Sequence, residues 1–141
     1  MPIQFVLLPL FVQVALTFVL YLWMAYHRTT VLRRGDVHPR DIALRQPNWP
    51  PRVLQIANAA HNQLETPVLF YVLTILVLIT HHADVLFVVL AWLFVLARLA
   101  HAYVHVTSNR IAVRGPTFGL SLIVLIVMWV IFMVRILAGL P

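Results

Sequence analysis

The segment NQLETPVLFYVLTILVLI, residues 62–79, decides the fold class of this chain. Its polar beginning gives way at Val68 to a run in which almost every residue is apolar. With the residues before it, the segment forms a stretch from 52 to about 80, and about 20 residues of helix suffice to cross the hydrocarbon core of a bilayer. The stretch therefore predicts a transmembrane helix.

Pro67 interrupts this predicted helix. Proline has no backbone N–H, so the carbonyl of Gln63 loses its partner within the helix. In a membrane such a carbonyl needs another donor, which a neighbouring helix or a water molecule supplies. We therefore expect a kink or a local water site at Pro67. A second proline, Pro51, stands where the helix should begin, a position that tolerates proline.

Three further apolar stretches flank this helix, and the first runs from Ile3 to Tyr26 without a charged residue. In the whole chain of 141 residues, 62% are hydrophobic and 10% are charged, against about 45–50% and about 25% in soluble domains. A large soluble catalytic domain is excluded. We predict an all-α integral membrane four-helix bundle, a single domain over residues 1–141. Its expected parts are helices at about 3–26, 52–80, 85–106 and 117–138, and a basic loop at 27–51.

The charges indicate how the bundle is oriented. The ten basic residues are all Arg, and with four acidic residues they give a net charge of +6. Most lie in the loop after the first helix and in the turn after the third. Because Arg accumulates in cytoplasmic loops, we expect both basic loops in the cytoplasm and both termini on the non-cytoplasmic side. Arg135 alone disagrees, and its long side chain can snorkel from the last helical turn.

The same distribution indicates which partners suit the chain. Positive charge clustered beside apolar spans orients a membrane protein and attracts anionic lipid headgroups, so membrane lipids are the expected partners and nucleic acid is not. The chain has no cysteine. It therefore has no disulfide and no thiolate nucleophile of its own, and any thiol chemistry needs a thiol from the substrate.

Polar side chains form a stripe on each of two neighbouring predicted helices. Their spacings of three, four and seven residues place each set on one helical face. The hairpin between the helices brings the two stripes together, because both lie toward the side of the basic loops. The stripes comprise Asn58, His61, Asn62 and Glu65 on the second helix and Arg98, His101 and His105 on the third.

Three interpretations of these stripes remain open. In a structural one, Glu65 and Arg98 form a buried ion pair while the other side chains bond to each other across the helices. In a functional one, so many ionisable groups inside a membrane mark a binding site. In a third, the i, i+4 pairs His61–Glu65 and His101–His105 chelate zinc or iron. No surrounding motif fixes such a geometry, so we assign no metal.

Two motifs resemble those of the MAPEG family, the membrane-associated proteins of eicosanoid and glutathione metabolism. One is Asn62-x-x-Glu65 followed by Pro67, and the other is Arg98-x-x-His101 leading to Arg110, Arg114 and Phe118. The strings NQLETPVLFY and RLAHAYVHVTSNR look most like uncharacterised bacterial members. The resemblance covers essentially the whole chain. It implies a multi-pass protein of a bacterial inner membrane.

The resemblance also implies a function. MAPEG proteins are homotrimers of four-helix subunits, with a site between subunits that is open to the cytoplasmic side. In the family's glutathione enzymes, the Asn and Glu at the positions of Asn62 and Glu65 help to hold the tripeptide. An Arg at the position of Arg114 stabilises the thiolate, which makes Arg114 the candidate catalytic residue. Conjugation to a lipophilic electrophile, or peroxide reduction, then follows.

The chain departs from the family's pattern at several positions. Asn58 replaces an Arg, His105 replaces a common Tyr, and Gly115 and Phe118 replace hydroxyl residues near the catalytic Arg. The alternative function is therefore a non-enzymatic membrane scaffold or lipid-binding protein with a structural polar core. For the glutathione hypothesis, Arg98 and Arg110 are expected to compensate for the missing Arg. The expected ligand-binding residues are Asn58, His61, Asn62, Glu65, Arg98, His101, His105 and Arg110.

Overall fold

A computed structural model describes residues 1–141 and contains helices and connecting loops, with no strand. Four of its segments are long and apolar enough to cross a membrane, judged by length and composition. They are α1, α2 together with α3, α4, and α5. The prediction of an all-α membrane bundle with four spans is thereby confirmed. The helices are α1 (Ile3–Arg34), α2 (Pro51–Asn62), α3 (Thr66–Ile79), α4 (Val85–Val106) and α5 (Ile111–Leu137), with a short 3-10 turn at Pro39–Asp41.

Helix α1 is longer than predicted. The sequence predicted its end at residue 26, and the structure continues it to Arg34, so the loop predicted at 27–51 begins only at Gly35. Gly35 ends the helix because its φ of 76° is left-handed, a conformation that suits glycine. Its N–H donates to the carbonyl of Leu32 at 3.2 Å. The charged residues after Tyr26 thus indicate where the apolar segment ends, but the helix itself continues beyond them.

The second span is broken, where a single helix over 52–80 was predicted. The expected kink at Pro67 is a complete interruption at residues 63–65, between α2 and α3. In the interruption, the N–H groups of Gln63, Leu64 and Glu65 each donate to the carbonyl three residues earlier, at 3.0–3.3 Å. Pro67 then occupies the first turn of α3, where its missing N–H costs nothing.

Helix α5 begins at Ile111, six residues before the start predicted at 117. The prediction used Pro116 as the boundary, but proline lies inside this helix. Because Pro116 lies close to the start of the helix, it removes one backbone hydrogen bond, the one to the carbonyl of Ala112. Ala112 is exposed, so the helix tolerates this loss. The early start places Arg114 and Gly115 in the first turns of the helix and not in a preceding loop.

Helix α4 lies at the centre of the bundle and is the most buried of the spans. It packs against α5 and α1, while α2 packs on α1 and α4. Small residues of α2, among them Ala57, Ala59 and Ala60, are almost fully buried and pack with Leu20 of α1 and with α4. We call the end of the bundle with residues 35–50 and 107–110 the basic end, and the end with residues 80–84 the hairpin end.

At the hairpin end, Asp84 joins α4 to α5. Its carboxylate caps α4 by accepting from the N–H of Phe87 at 2.8 Å, and it forms an ion pair with Arg135 at 2.7 Å. Burial raises the pKa of the Asp84 carboxyl, but the Phe87 N–H and the Arg135 guanidinium outweigh it and hold this pKa below its usual range. Arg135 is thus paired within the protein, where the sequence suggested snorkelling.

Candidate functional site

A cavity of about 490 Å³ opens between α2, α4 and the start of α5 near the basic end. This volume lies within the range of small-molecule sites, about 300–1,000 Å³. Only one of its nine lining residues is hydrophobic, which is unusual for a site among transmembrane helices. The lining residues are Asn58, His61, Asn62, Glu65, His101, His105, Arg114, Gly115 and Phe118.

Helix α2 supplies one wall of this cavity. Asn58 and His61 are exposed on it and Asn62 is half-buried, and Glu65, exposed in the interruption that follows, continues the wall. The opposite side of α2, with Ile56 at 0% exposure, packs into the bundle. The predicted stripe therefore faces the cavity because the alanines and Ile56 turn the polar side away from α1.

Arg98 does not form the ion pair with Glu65 that the structural interpretation expected. The structure contains two ion pairs, and neither includes these residues. The guanidinium of Arg98 instead donates to the Asn62 side chain, to the Asn62 carbonyl at 3.3 Å and to Gln63 Oε1 at 3.3 Å. Glu65 Oε2 accepts from Asn62 Nδ2 at 3.2 Å. Asn62 thus connects the two charges that were predicted to touch.

Arg98 is fully buried and lies outside the cavity lining. It is bound at the C-terminal end of α2, the negative end of the helix dipole. Gln63 extends the same network to α1, since Gln13 Nε2 donates to Gln63 Oε1 at 2.9 Å. The spacing of Gln13 with Thr17 and Tyr21 on α1 predicts a helix–helix contact, and the bond to Gln63 is one, whereas the sequence did not identify Gln63 as the partner.

His101 and His105 form the α4 wall, and both are more than nine-tenths buried. Their rings meet edge to face at a centroid distance of 5.5 Å. His101 Nδ1 lies 3.1 Å from the carbonyl of Arg114. Because a carbonyl can only accept, Nδ1 must donate, and in the neutral ring Nε2 is then an acceptor without a proton. That Nε2 is buried and has no hydrogen-bond partner within the protein.

Arg114 reaches the cavity from the first turn of α5, while Arg110 does not. Arg114 Nη1 donates to Asn109 Oδ1 at 2.6 Å. Arg110 precedes the helix as its N-terminal flanking residue and is exposed. The structure therefore brings together every predicted site residue except Arg98 and Arg110.

Gly115 and Phe118 complete the α5 wall. A side-chain carbon built on Gly115 would meet no atom within 4 Å, so the cavity is open at this position. The Phe118 ring lies between two elements of the site, with the guanidinium carbon of Arg98 5.9 Å from its centroid and the His101 ring 5.6 Å away. Phe118 thus lies close to both buried Arg98 and the His101 ring.

The charge around the cavity is mainly positive. Arg114 and Glu65 line it, and the charges of Arg28 and Arg45 reach His61 at its rim. The sequence did not indicate Arg28 or Arg45 as site residues, because Arg28 lies on α1 and Arg45 in the loop before α2, outside the polar stripes. An anionic ligand with a smaller cationic group matches a lining with one guanidinium and one carboxylate and with further arginines nearby.

The predicted metal pairs lie on the walls of this cavity. The structure contains no group of three or more His, Asp or Glu side chains that could hold a metal ion. The cavity offers guanidinium, amide and imidazole groups, which can bind an anion.

Comparison with known proteins identifies one relationship. The family model described as MAPEG family matches residues 6–134, nearly the whole chain. No curated protein and no solved structure matches the chain.

Proposed function

The chain belongs to the MAPEG family, and from this premise we propose that its cavity binds glutathione, or a closely related anionic thiol, and activates the sulfur. The thiolate then adds to a lipophilic electrophile or reduces a peroxide. The observation that carries this proposal is the convergence of Asn62, Glu65 and Arg114 on one polar cavity of about 490 Å³.

The charges of the cavity support a zwitterionic peptide as ligand. Glutathione has two carboxylates and one ammonium group. Glu65 suits the ammonium, and Arg28 and Arg45 near His61 suit a carboxylate. Arg28 and Arg45 stand outside the cavity lining, as do Arg98 and Arg110, the residues first expected to compensate. These arginines therefore add positive charge near the cavity, and Arg114 is the arginine that lines it.

Arg114 is proposed to stabilise the thiolate. A free cysteine thiol has a pKa of about 8.5, so only a few per cent is ionised at neutral pH. A guanidinium beside the sulfur favours the anion and lowers this pKa. In conjugation, the thiolate forms a C–S bond as a leaving group departs from the electrophile. In peroxide reduction, it attacks the O–O bond and releases an alcohol, and a second glutathione then yields the disulfide and water.

We further propose that the protein works as a homotrimer, as the family resemblance implies. Helix α5 is the least buried span, and apolar side chains such as Leu120 and Ile123 are exposed along it. The cavity is bounded by three helices of the chain and open on its remaining side. A neighbouring subunit would close it, and native mass spectrometry from detergent should then give a trimer mass.

The experiment that tests the proposed function measures thiolate formation. Glutathione is added to purified wild-type protein, and the near-ultraviolet absorbance of the thiolate is followed against pH. The thiol of glutathione bound to wild-type protein should have a lower pKa than free glutathione. In the Arg114→Gln variant, the pKa of the bound thiol should be higher than in wild type by about one unit or more. For a rise of about one unit, the thiolate fraction at neutral pH would then fall by up to about tenfold.

Arg110→Gln is the matched control, because it removes the same charge four residues away, outside the cavity. It should leave the thiolate signal unchanged. If wild type produces no thiolate, or if Arg110→Gln loses as much signal as Arg114→Gln, the proposal is wrong.

Lipid binding is the second candidate function, and a set of cation–π contacts favours it. The guanidinium carbon of Arg28 lies 4.8 Å from the Trp49 ring centroid, and that of Arg52 lies 5.3 Å from the Trp23 centroid. Trp and Arg together are typical of a membrane interface. If the protein is a non-enzymatic lipid-binding protein, it should bind nanodiscs that contain anionic lipid better than neutral nanodiscs. The Arg114→Gln variant should then show the same preference as wild type.

A further inference from the structure

The turn between α4 and α5 contains an unusual residue, Asn109. Its φ of 51° is left-handed, which is uncommon for a residue other than glycine and is tolerated best by Asn and Asp. Its N–H donates to the carbonyl of Val104 at 2.8 Å. Its side-chain oxygen accepts from Arg114 Nη1 at 2.6 Å. The backbone conformation thus directs the amide of Asn109 toward Arg114.

Helix α2 holds this turn in place from the side. Arg52 Nη1 donates to the carbonyl of Val106, and Gln55 Nε2 donates to the carbonyls of His105 and Thr107 at 2.8 and 3.1 Å. These carbonyls belong to the last turn of α4 and the residue after it, which lack partners within the helix. The turn that contains Asn109 is therefore fixed at its start by two side chains of another helix.

Asn109 makes the one hydrogen bond that the structure gives to the Arg114 side chain. Neither of the two ion pairs in the structure includes Arg114, so no acidic side chain neutralises it. A carboxylate at this position would hold the guanidinium equally well but would cancel much of its charge. An amide oxygen orients the guanidinium and leaves its charge available to an anion in the cavity.

We propose that Asn109 is a positioning residue, which holds the Arg114 guanidinium at the cavity through a neutral hydrogen bond and thereby preserves its full charge for an anionic sulfur. The part of this proposal that concerns sulfur rests on the proposed function. The part that concerns the position of Arg114 does not.

Two substitutions separate the contributions of Asn109. Asn109→Gly keeps the left-handed backbone accessible and removes only the acceptor. Asn109→Asp keeps the acceptor and adds a negative charge. Ser108→Gly, at an exposed neighbouring residue, is the matched control for introducing glycine into this turn. All variants should elute from a sizing column at the position of wild type.

The first measurement does not depend on glutathione. Phenylglyoxal, an arginine-selective dicarbonyl, is applied to each variant, and labelling of Arg114 is followed by peptide mass spectrometry. Asn109→Gly should label several-fold faster than wild type, because the guanidinium is no longer held. Asn109→Asp and Ser108→Gly should not. Equal labelling rates for wild type and Asn109→Gly would overturn the proposal, whatever the protein does with glutathione.

The second measurement is the pKa of the bound glutathione thiol. It should rise in Asn109→Gly because Arg114 is displaced, and also in Asn109→Asp because Arg114 is held but neutralised. A thiol pKa in Asn109→Asp equal to that of wild type would refute the role of the neutral amide. If wild-type protein forms no thiolate, the proposed function fails, and the labelling rates still decide whether Asn109 positions Arg114.

Discussion

At the scale of single residues, Arg98 is a buried cation bound by the end of a broken helix. Its guanidinium donates to the carbonyl and side chain of Asn62 and to the side chain of Gln63. A broken helix inside a membrane leaves polar groups that must be satisfied by the protein. A positive charge at the C-terminal end of α2 is also favoured by the helix dipole. We infer that Arg98 stabilises the interruption that shapes the cavity.

This role predicts the effect of Arg98→Leu. The substitution removes the donor to the Asn62 carbonyl and side chain, while Gln63 keeps its bond from Gln13, and it should lower the free energy of unfolding by about 1–3 kcal/mol. Arg114→Gln, in the half-buried cavity wall, should lower it by less than about 1 kcal/mol. Unfolding in mixed detergent–SDS micelles measures both variants. Wild-type stability in Arg98→Leu, accompanied by lost glutathione binding, would instead make Arg98 a ligand contact.

Gly115 allows a gain-of-function prediction. A side-chain carbon there meets nothing within 4 Å, and the position lines the cavity beside Arg114. Gly115→Ser should therefore fit, improve helix propensity slightly and add a hydroxyl that tightens glutathione binding several-fold, measured by calorimetry. Gly119→Ser is the matched control, since Gly119 is equally open but does not line the cavity. An equal gain in both variants would remove the hydroxyl explanation.

The sequence predicted seven of the nine residues that line the cavity, but it also included Arg98 and Arg110, and it did not show which side chains touch. Helical periodicity gives the direction of a side chain around the helix axis, and it correctly grouped Asn58, Asn62 and Glu65 on one face. It does not give the depth of a side chain or its rotamer. Arg98 and Glu65 were therefore expected to pair, although Asn62 lies between them.

At the scale of helices and turns, the sequence located the four spans but not where their helices end. Hydropathy indicates where an apolar segment ends. It does not indicate where a helix ends if the helix continues through polar residues, as α1 does beyond Tyr26. The better signals were local. Gly35 ends α1 with a left-handed conformation, and Pro116 was taken for a boundary that it does not form.

The hairpin between α3 and α4 yields a stability prediction of its own. Asp84→Ala removes both the cap of α4 and the partner of Arg135, and should lower the free energy of unfolding by about 1–2 kcal/mol at pH 7. The pKa of Asp84 is held below its usual range, so its contribution is complete above that range and is lost as the pH falls through the lowered value.

Thermal unfolding in detergent at neutral and strongly acidic pH checks this prediction. The difference between wild type and Asp84→Ala should shrink in acid. Asp36→Ala, which removes an exposed aspartate that forms no ion pair, should show no difference at either pH. A gap between wild type and Asp84→Ala that is the same at both pH values would contradict the linkage.

At the scale of the whole molecule, positive charge is concentrated at one end of the bundle. The exposed arginines of the loops and helix ends there are Arg33, Arg34, Arg40, Arg45, Arg52 and Arg110. The candidate cavity opens near the same end. At the hairpin end the single arginine, Arg135, is held by Asp84. The residue that appeared to disagree with the predicted orientation thus has a structural reason for its place.

This asymmetry predicts the orientation of the protein, because arginine-rich loops are retained on the cytoplasmic side. The chain contains no cysteine, so wild type is an unlabelled background for cysteine-specific reagents. Leu44 and Leu140 are exposed leucines, at 84% and 49%, on opposite ends of the bundle.

In intact spheroplasts, a membrane-impermeant maleimide should label Leu140→Cys at once and Leu44→Cys only after permeabilisation. Ser108→Cys should behave like Leu44→Cys, since the second basic loop lies at the same end. The opposite pattern would place the cavity on the non-cytoplasmic side, away from the reduced glutathione of the cytosol, and would count against both the orientation and the proposed ligand.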